Sequence, residues 1–412
     1  MTRPNDIFRE LKAAQDNSHL YKAILRSLHR PLSVLLTNLS AHLLPLISST
    51  SFLSPSAPTL QAPNPNPTQL HALAIADFSG ELLEAFDALD LGHDADQRGD
   101  GLRLIREGLV SLVNRVVGPL VSGIRNELMP LMDALEVPNP HIGLRPAANT
   151  KPSGYHPSII TLQAVMPIYA RALKRYTTTS SCQTTLATLI ISVIWRGLVA
   201  LSHRPFMAPS PPPSPGLYPS TPKKSPGPTP PLTPSRFAIK LPPSRPPSPP
   251  SLAVPASVAA DAQALYDLLK MLPCPPADKK STRLAREVVD DALQGLRALP
   301  PLLEAVRSHS SVKESEHDVD AWAQKLHILS ADLPLLIALP VILQGSGQYG
   351  PVSSVAQLLG FSEDEYRKEC LHGFGRAEES STPIALQLLD VMYVDNANPI
   401  VSQYLELEVA ES

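Results

Sequence analysis

The most tempting nucleotide-binding signal in the chain is a glycine motif. Residues 345–350 read Gly-Ser-Gly-Gln-Tyr-Gly, the GxGxxG spacing with which a strand–turn–helix unit cradles the pyrophosphate of a dinucleotide. That chemistry requires a βαβ unit with further strands, whereas the residues after Gly350 have helical patterning. We therefore interpret the motif as a turn between helices and predict no cofactor.

A second motif begins like a calcium-binding loop. Asp94, Asp96 and Gly99 occupy its first, third and sixth positions. The fifth position, however, is Arg98, and Ile105 stands at the twelfth, where a glutamate normally closes the cage around the metal. The pattern indicates an acidic loop before a helix, and we predict no metal site.

A third motif comprises residues 355–362, Val-Ala-Gln-Leu-Leu-Gly-Phe-Ser, followed by Tyr366 and Gly373. This order resembles the short helix-turn-helix of AraC-type regulators, which implies DNA binding through residues 352–374. The recognition helix would open with Glu-Asp-Glu at 363–365, and DNA phosphates repel such a sequence. We prefer a helical hairpin whose second helix is capped by a capping box of Ser362 and Glu365, and we keep DNA association as a third hypothesis.

Motifs of hydrolytic enzymes are missing, since the chain has neither a GxSxG elbow nor an HExxH pair. Five histidines are scattered through predicted loops and helix ends: His93, His141, His156, His203 and His309. The sequence therefore predicts no catalytic residue and a protein that is not an enzyme. The competing hypothesis is a helical enzyme or ligand-binding bundle, in which Tyr155, His156 or the 345–350 loop lies at a deep polar cavity.

The richest set of signals lies in residues 204–256. This stretch contains 19 prolines between Pro205 and Pro250, together with many serines. Such a composition buries too little apolar surface to offset the entropy lost on ordering the chain. The sequence predicts a disordered linker that is partly polyproline II.

Seven Ser/Thr-Pro dipeptides predict proline-directed phosphorylation of this linker, at Ser210, Ser214, Thr221, Ser225, Thr229, Thr233 and Ser248. Thr221 is followed by Pro-Lys-Lys and Thr233 by Pro-Ser-Arg, which supply the basic residue that cyclin-dependent-type kinases favour. A phosphate on either threonine would lie beside cations with which it can pair.

Two SH3-type ligand patterns lie in the same stretch. Polyproline II is preorganised for SH3 grooves, and a flanking cation meets their acidic rim. The residues that define the two patterns are Pro231, Pro234 and Arg236 in one, and Lys240, Pro243 and Pro246 in the other. We predict protein partners, among them a proline-directed kinase and an SH3-type domain, with an inert spacer as the alternative.

Bulk composition limits the remaining classes. The net charge of −3 supplies no global field toward nucleic acid or an anionic membrane. Three cysteines far apart in sequence indicate neither a disulfide framework nor a zinc motif. The first residues lack the charged-then-apolar order of a secretory signal, so we expect a soluble chain in the cytoplasm or nucleus.

Helical spacing of Leu, Ala, Val and Ile on both sides of the linker predicts an all-α fold. We expect two helical-bundle or α-solenoid-like blocks, an N-terminal domain at 1–203 and a C-terminal domain at 257–412. Mobile loops are expected at about 49–67 and 137–158. Pro31 should divide the first helical run into a pair of helices.

One segment, Leu186 to Leu201, is almost continuously apolar. It is shorter than the roughly 20 residues of a membrane span and contains Arg196, so we predict a buried core helix and no integral membrane span. Together these patterns predict a non-catalytic helical scaffold or adaptor that mediates protein–protein interactions and has a phospho-regulated proline-rich linker.

Overall fold

The computed structural model describes residues 13, 17–89, 91–92, 102–138, 154–206, 257–309, 319–346, 354–395 and 398–411. Helices and turns account for these residues, with no strand among them, which confirms the predicted all-α class. In chain order the α-helices are α1 Ser18–Ile47, α2 Thr50–Leu53, α3 Pro67–Ala88, α4 Arg103–Asp133, α5 Pro157–Tyr176, α6 Gln183–His203, α7 Val258–Leu269, α8 Lys280–His309, α9 Val319–Ser330, α10 Leu335–Gly345, α11 Val355–Leu358, α12 Glu363–Glu369, α13 Phe374–Asp395 and α14 Pro399–Glu411.

The first helix corrects one prediction. Pro31 lies inside α1, which continues to Ile47 as a single helix, so the predicted helix pair is wrong. A proline inside a helix removes one hydrogen bond and costs about 3 kcal/mol. Packing of α1 against α3 and α4, through buried Tyr21, Leu25 and Leu43, holds the turns on both sides of Pro31 in the helical conformation.

The predicted loop at 49–67 packs on the neighbouring helices. The side-chain amide of Gln69 donates hydrogen bonds to the carbonyl oxygens of Phe52 and Pro55, both at 3.0 Å. Phe52 is buried, and the carbonyl of Ser56 lies so close to Gly123 of α4 that a side chain at Gly123 would overlap it. A glycine is therefore required where this segment crosses α4.

Helix α6 is the centre of the molecule. It packs against α4 on one side and against α8 and α10 on the other. The stretch Ser180–His203 is long and apolar enough to cross a membrane by length and composition, and 67% of its most apolar window is buried inside the fold. In this structure, helix α6 is the core helix that the run at 186–201 predicts.

A single hydrophobic core extends across both predicted blocks, from Tyr21 in α1 to Leu405 in α14. Gly197 permits close contact between α6 and α7, because a Cβ atom at this position would lie only 2.7 Å from Leu265 Cδ2 of α7. The division into domains at 203 and 257 remains a prediction, but the helices on its two sides share one core.

The C-terminal helices confirm a second local prediction. Ser362 and Glu365 form a capping box, in which the Ser362 hydroxyl accepts from the Glu365 backbone N–H at 3.3 Å. The Ser362 N–H donates in return to the Glu365 carboxylate at 3.1 Å. This reciprocal pairing satisfies two backbone N–H donors at the start of α12.

Candidate functional site

The predicted functional residues of the linker fall outside the described residues, which stop at Phe206 and resume at Ser257. This holds for all seven phosphorylation sites and for the six residues of the SH3-type patterns, Pro231, Pro234, Arg236, Lys240, Pro243 and Pro246. The structure does describe the chain where it enters and leaves this proline-rich segment. Those two ends lie together.

An ion pair joins the two ends. Arg204 Nη1 lies 2.6 Å from Asp261 Oδ2, and the side chains are only 4% and 0% exposed. The second carboxylate oxygen of Asp261 accepts the backbone N–H of His156 at 2.9 Å. Both oxygens therefore have partners, as a buried carboxylate requires.

Local sequence explains the position of Asp261. Ser257 caps α7 by accepting the backbone N–H of Ala260 at 3.0 Å, which starts the helix directly after the proline-rich segment. Asp261 then lies in the first turn, where the helix dipole favours a negative charge. Arg204 is the first residue after α6, so the end of this central apolar helix places the Arg204 guanidinium beside Asp261.

Gln344 of α10 forms a second anchor for the departing chain. Its side-chain oxygen accepts the backbone N–H of Phe206 at 3.2 Å. Its side-chain nitrogen donates to the carbonyl oxygen of Ser202, also at 3.2 Å. One amide thus holds the chain on both sides of Arg204, and we call the five residues that meet here the base cluster: His156, Arg204, Phe206, Asp261 and Gln344.

The surroundings of His156 in the base cluster favour its neutral form. Burial is the main cause that lowers the pKa of His156, and the charge of Arg204 lowers it further, against an opposing effect of Asp261. The neutral ring accepts the Ser158 backbone N–H at Nδ1, 3.2 Å away, and so caps α5. A protonated ring cannot accept that bond, because both of its nitrogens would then be donors.

A second contact joins α6, which precedes the proline-rich segment, to the residues around the start of α13, which follow it. The indole N–H of Trp195 donates to the Leu371 carbonyl at 2.9 Å, and the indole lies 4.6 Å from the ring of Phe374. Beside it, Arg367 of α12 binds both carboxylate oxygens of Glu136, at 2.6 and 2.9 Å. The segment that follows α12 therefore contacts α6, and Arg367 of the helix that would read DNA is already paired with Glu136.

The glycine motif has a packing role at its first residue. Gly345 ends α10, a helix where a dinucleotide fold would have a strand, and a side chain there would overlap Val306 of α8. Ser346 is buried and accepts a hydrogen bond from Asn398 at 2.6 Å. Residues 347–350, the acidic loop at 94–101, His93 and His141 lie outside the described residues.

Sizeable open clefts between the described helices include the following two. One, of about 620 Å³, lies between α4 and the segment after α1, with Phe52 and Leu53 in its wall. The other, of about 730 Å³, lies between α5, α6 and the turn after α7. Neither is lined by Tyr155 or His156, and no described group of three or more His, Cys, Asp or Glu side chains is arranged to hold a metal ion.

Sequence reasoning missed the base cluster. Arg204 and Asp261 are 57 positions apart, and neither belongs to a motif. The available signal was local: each is a lone charge at the point where an apolar helix borders the proline-rich segment. Which residue meets which depends on how α6 packs against α7.

Comparison of the chain with protein-family models gives no match. Searches of curated proteins and of solved structures also give none.

Proposed function

We propose that this protein is a non-catalytic helical scaffold or adaptor that contacts protein partners. Its helical body holds the residues that border the proline-rich segment on both sides. Proline-directed kinases modify the segment, with Thr221 and Thr233 as the principal sites, and SH3-type domains bind its two basic proline patterns.

The observation that supports this proposal most directly is the base cluster. A buried ion pair and a bridging amide tie the residues before and after the segment to one body. Such anchoring at both ends keeps the predicted ligand sequences near one surface. A partner bound to the segment therefore stays close to that surface, where a second contact has a high effective concentration.

Phosphate mapping and binding assays test the proposal. The full chain is incubated with a cyclin-dependent-type kinase, and phosphorylated residues are identified by mass spectrometry. We expect phosphate first at Thr221 and Thr233, and its loss in the Thr221→Ala and Thr233→Ala variants. Phosphate confined to the seryl sites Ser210 and Ser248 would contradict this assignment.

Partner binding is measured by isothermal calorimetry with purified SH3 domains of the class that prefers a cation before or after its proline motif. The matched variants are Arg236→Ala and Lys240→Ala, which remove one cation each and leave every proline in place. We expect each substitution to weaken the binding of those SH3 domains that recognise the pattern containing the substituted cation. Full chain that binds no SH3 domain, remains monomeric and retains no reproducible partner would overturn the adaptor proposal.

A further inference from the structure

The cleft between α5, α6 and the turn after α7 has a distinctive charge. Its rim contains Arg171 and Lys174, one helical turn apart on α5 and both exposed. No acidic side chain is among its described lining residues, and neither cation forms an ion pair within the described part of the chain. The cleft thus offers two cations to a ligand.

Besides the two cations, the cleft has an apolar wall and the glutamine Gln183. Met271 is 50% exposed and lies opposite α5 together with Pro273 and the half-buried Cys274. Gln183 lines the cleft, and its side-chain nitrogen donates to the Thr177 carbonyl at 2.6 Å. Its side-chain oxygen is buried and has no hydrogen-bond partner among the described residues.

These features favour one class of ligand. The cleft is open along one side, so a small molecule would leave much of its surface in water, unlike in sites that enclose their ligands. No aromatic side chain lines it, so it lacks the platforms on which nucleic-acid bases stack. An extended peptide supplies acidic groups for the two cations of the rim and apolar groups for Met271.

We propose that this cleft binds an acidic, partly apolar peptide segment of a partner protein. Carboxylates of the peptide pair with Arg171 and Lys174, and its apolar side chains pack on Met271 and Pro273. A flexible methionine adapts to side chains of different shapes, which suits a surface that accepts more than one sequence. The site is on the helical body, so it is a second partner surface distinct from the proline-rich segment.

Direct binding tests the charge requirement. The probe is a fluorescein-labelled peptide of alternating Glu and Leu, about nine residues long and so roughly 30 Å when extended. Its anisotropy is measured with the full chain, beside peptides in which Gln or Lys replaces every Glu. We expect binding of the Glu peptide only, and we expect it to weaken as salt is raised.

Charge reversal in the cleft is the decisive comparison. The double variant Arg171→Glu with Lys174→Glu should weaken binding at least about tenfold, equivalent to roughly 1.4 kcal/mol. Arg125→Glu on α4 and Arg297→Glu on α8 change exposed cations that do not line the cleft, and should leave binding unaltered. Equal binding of the Gln peptide, or equal losses in the control variants, would overturn the proposal.

Cys274 reports where the peptide binds. Cys182 and Cys370 are buried, so N-ethylmaleimide should alkylate Cys274 first in the native chain, and Cys274→Ser should abolish that early labelling. Burial raises the pKa of the Cys274 thiol, so the reaction is run above neutral pH. The acidic peptide should slow alkylation of Cys274; binding with no such protection would show that the peptide lies elsewhere.

The outcomes separate this inference from the proposed function. Peptide binding and Cys274 protection are read on unphosphorylated chain, so the absence of kinase or SH3 activity leaves them unchanged. Conversely, a lack of acidic-peptide binding leaves the results of the kinase and SH3 assays unchanged. Displacement of the peptide by single-stranded DNA, with the same dependence on Arg171 and Lys174, would replace the peptide with a nucleic acid.

Discussion

Among the ion pairs that connect residues on either side of the proline-rich segment, Arg204–Asp261 and Arg367–Glu136 differ in burial. The side chains of Arg204 and Asp261 are 4% and 0% exposed, whereas those of Arg367 and Glu136 are 30% and 34% exposed. The shortest N···O distance is 2.6 Å in both pairs. Distance therefore does not distinguish them, and burial decides how much each pair matters.

Access to solvent explains why burial matters. Water and salt screen the Arg367–Glu136 pair, so its removal costs little. Loss of one partner from the Arg204–Asp261 pair leaves a charge inside the protein with nothing to compensate it. Of these two pairs, the buried one should therefore be sensitive to substitution and the partly exposed one tolerant.

The largest expected effect comes from breaking the buried pair. Asp261→Ala should lower the free energy of unfolding by about 3–5 kcal/mol, because Arg204 then remains buried without a counter-charge. Urea denaturation followed by circular dichroism measures the change. Adding Arg204→Met should recover part of the loss, since no buried charge remains; simple additivity of the two losses would contradict the explanation.

A smaller loss should follow acidification. The pKa of His156 is lowered in the folded state, so the unfolded chain takes up a proton at higher pH than the folded chain does. Stability is present at and above the ordinary histidine pKa of 6.5, is lost as pH falls below it, and levels off below the folded-state pKa. Thermal melts from neutral to mildly acidic pH measure this slope.

His156→Asn keeps a helix-capping side chain and removes the titrating group, so it should flatten the pH dependence. Burial also lowers the pKa of His203, so His203→Gln should remove a separate part of the slope. The double variant should be flatter than either single variant. A slope that persists in the double variant would assign the effect to other groups.

The next largest effect is expected from breaking the partly exposed Arg367–Glu136 pair. Glu136→Ala should cost at most about 1 kcal/mol, and the difference from the wild type should shrink as salt is added. The same denaturation assay gives this number. A loss as large as that of Asp261→Ala would mean that burial does not separate the two connections.

The smallest effect is expected from cutting the proline-rich segment itself. A protease site placed between Met207 and Ala256 allows cleavage of the folded chain. Because α6 packs against α8 and α10 in a common core, the two fragments should co-elute in size-exclusion chromatography and separate only in denaturant. Fragments that separate under native conditions would favour two independent domains.

Local rules predicted well where the relevant contacts are local. The capping box at Ser362 and Glu365 follows from three-residue spacing and is present as predicted. The burial of α6 follows from its nearly uniform apolar composition. Pro31 shows the limit, since its local preference to end a helix is outweighed by contacts of α1 with α3 and α4.

The candidate sites show the same limit. Nothing near Arg204 in sequence indicates that its partner is Asp261, and nothing near Lys174 indicates that Met271 lies across a cleft from it. Each pairing depends on where α7 lies relative to α5 and α6. The polar anchor Gln344 was equally hidden, because its partners are backbone groups of a distant segment.

By itself the sequence determined the all-α class and the existence of a proline-rich segment with seven candidate phosphorylation sites. Periodicity and composition are properties of neighbouring residues, so they are readable without a fold. Only the tertiary structure decided that the helices on both sides of this segment share one core, that Arg204 meets Asp261, and that a cationic cleft forms between α5 and the turn after α7. Those contacts join residues far apart in the chain, and helix packing selects them.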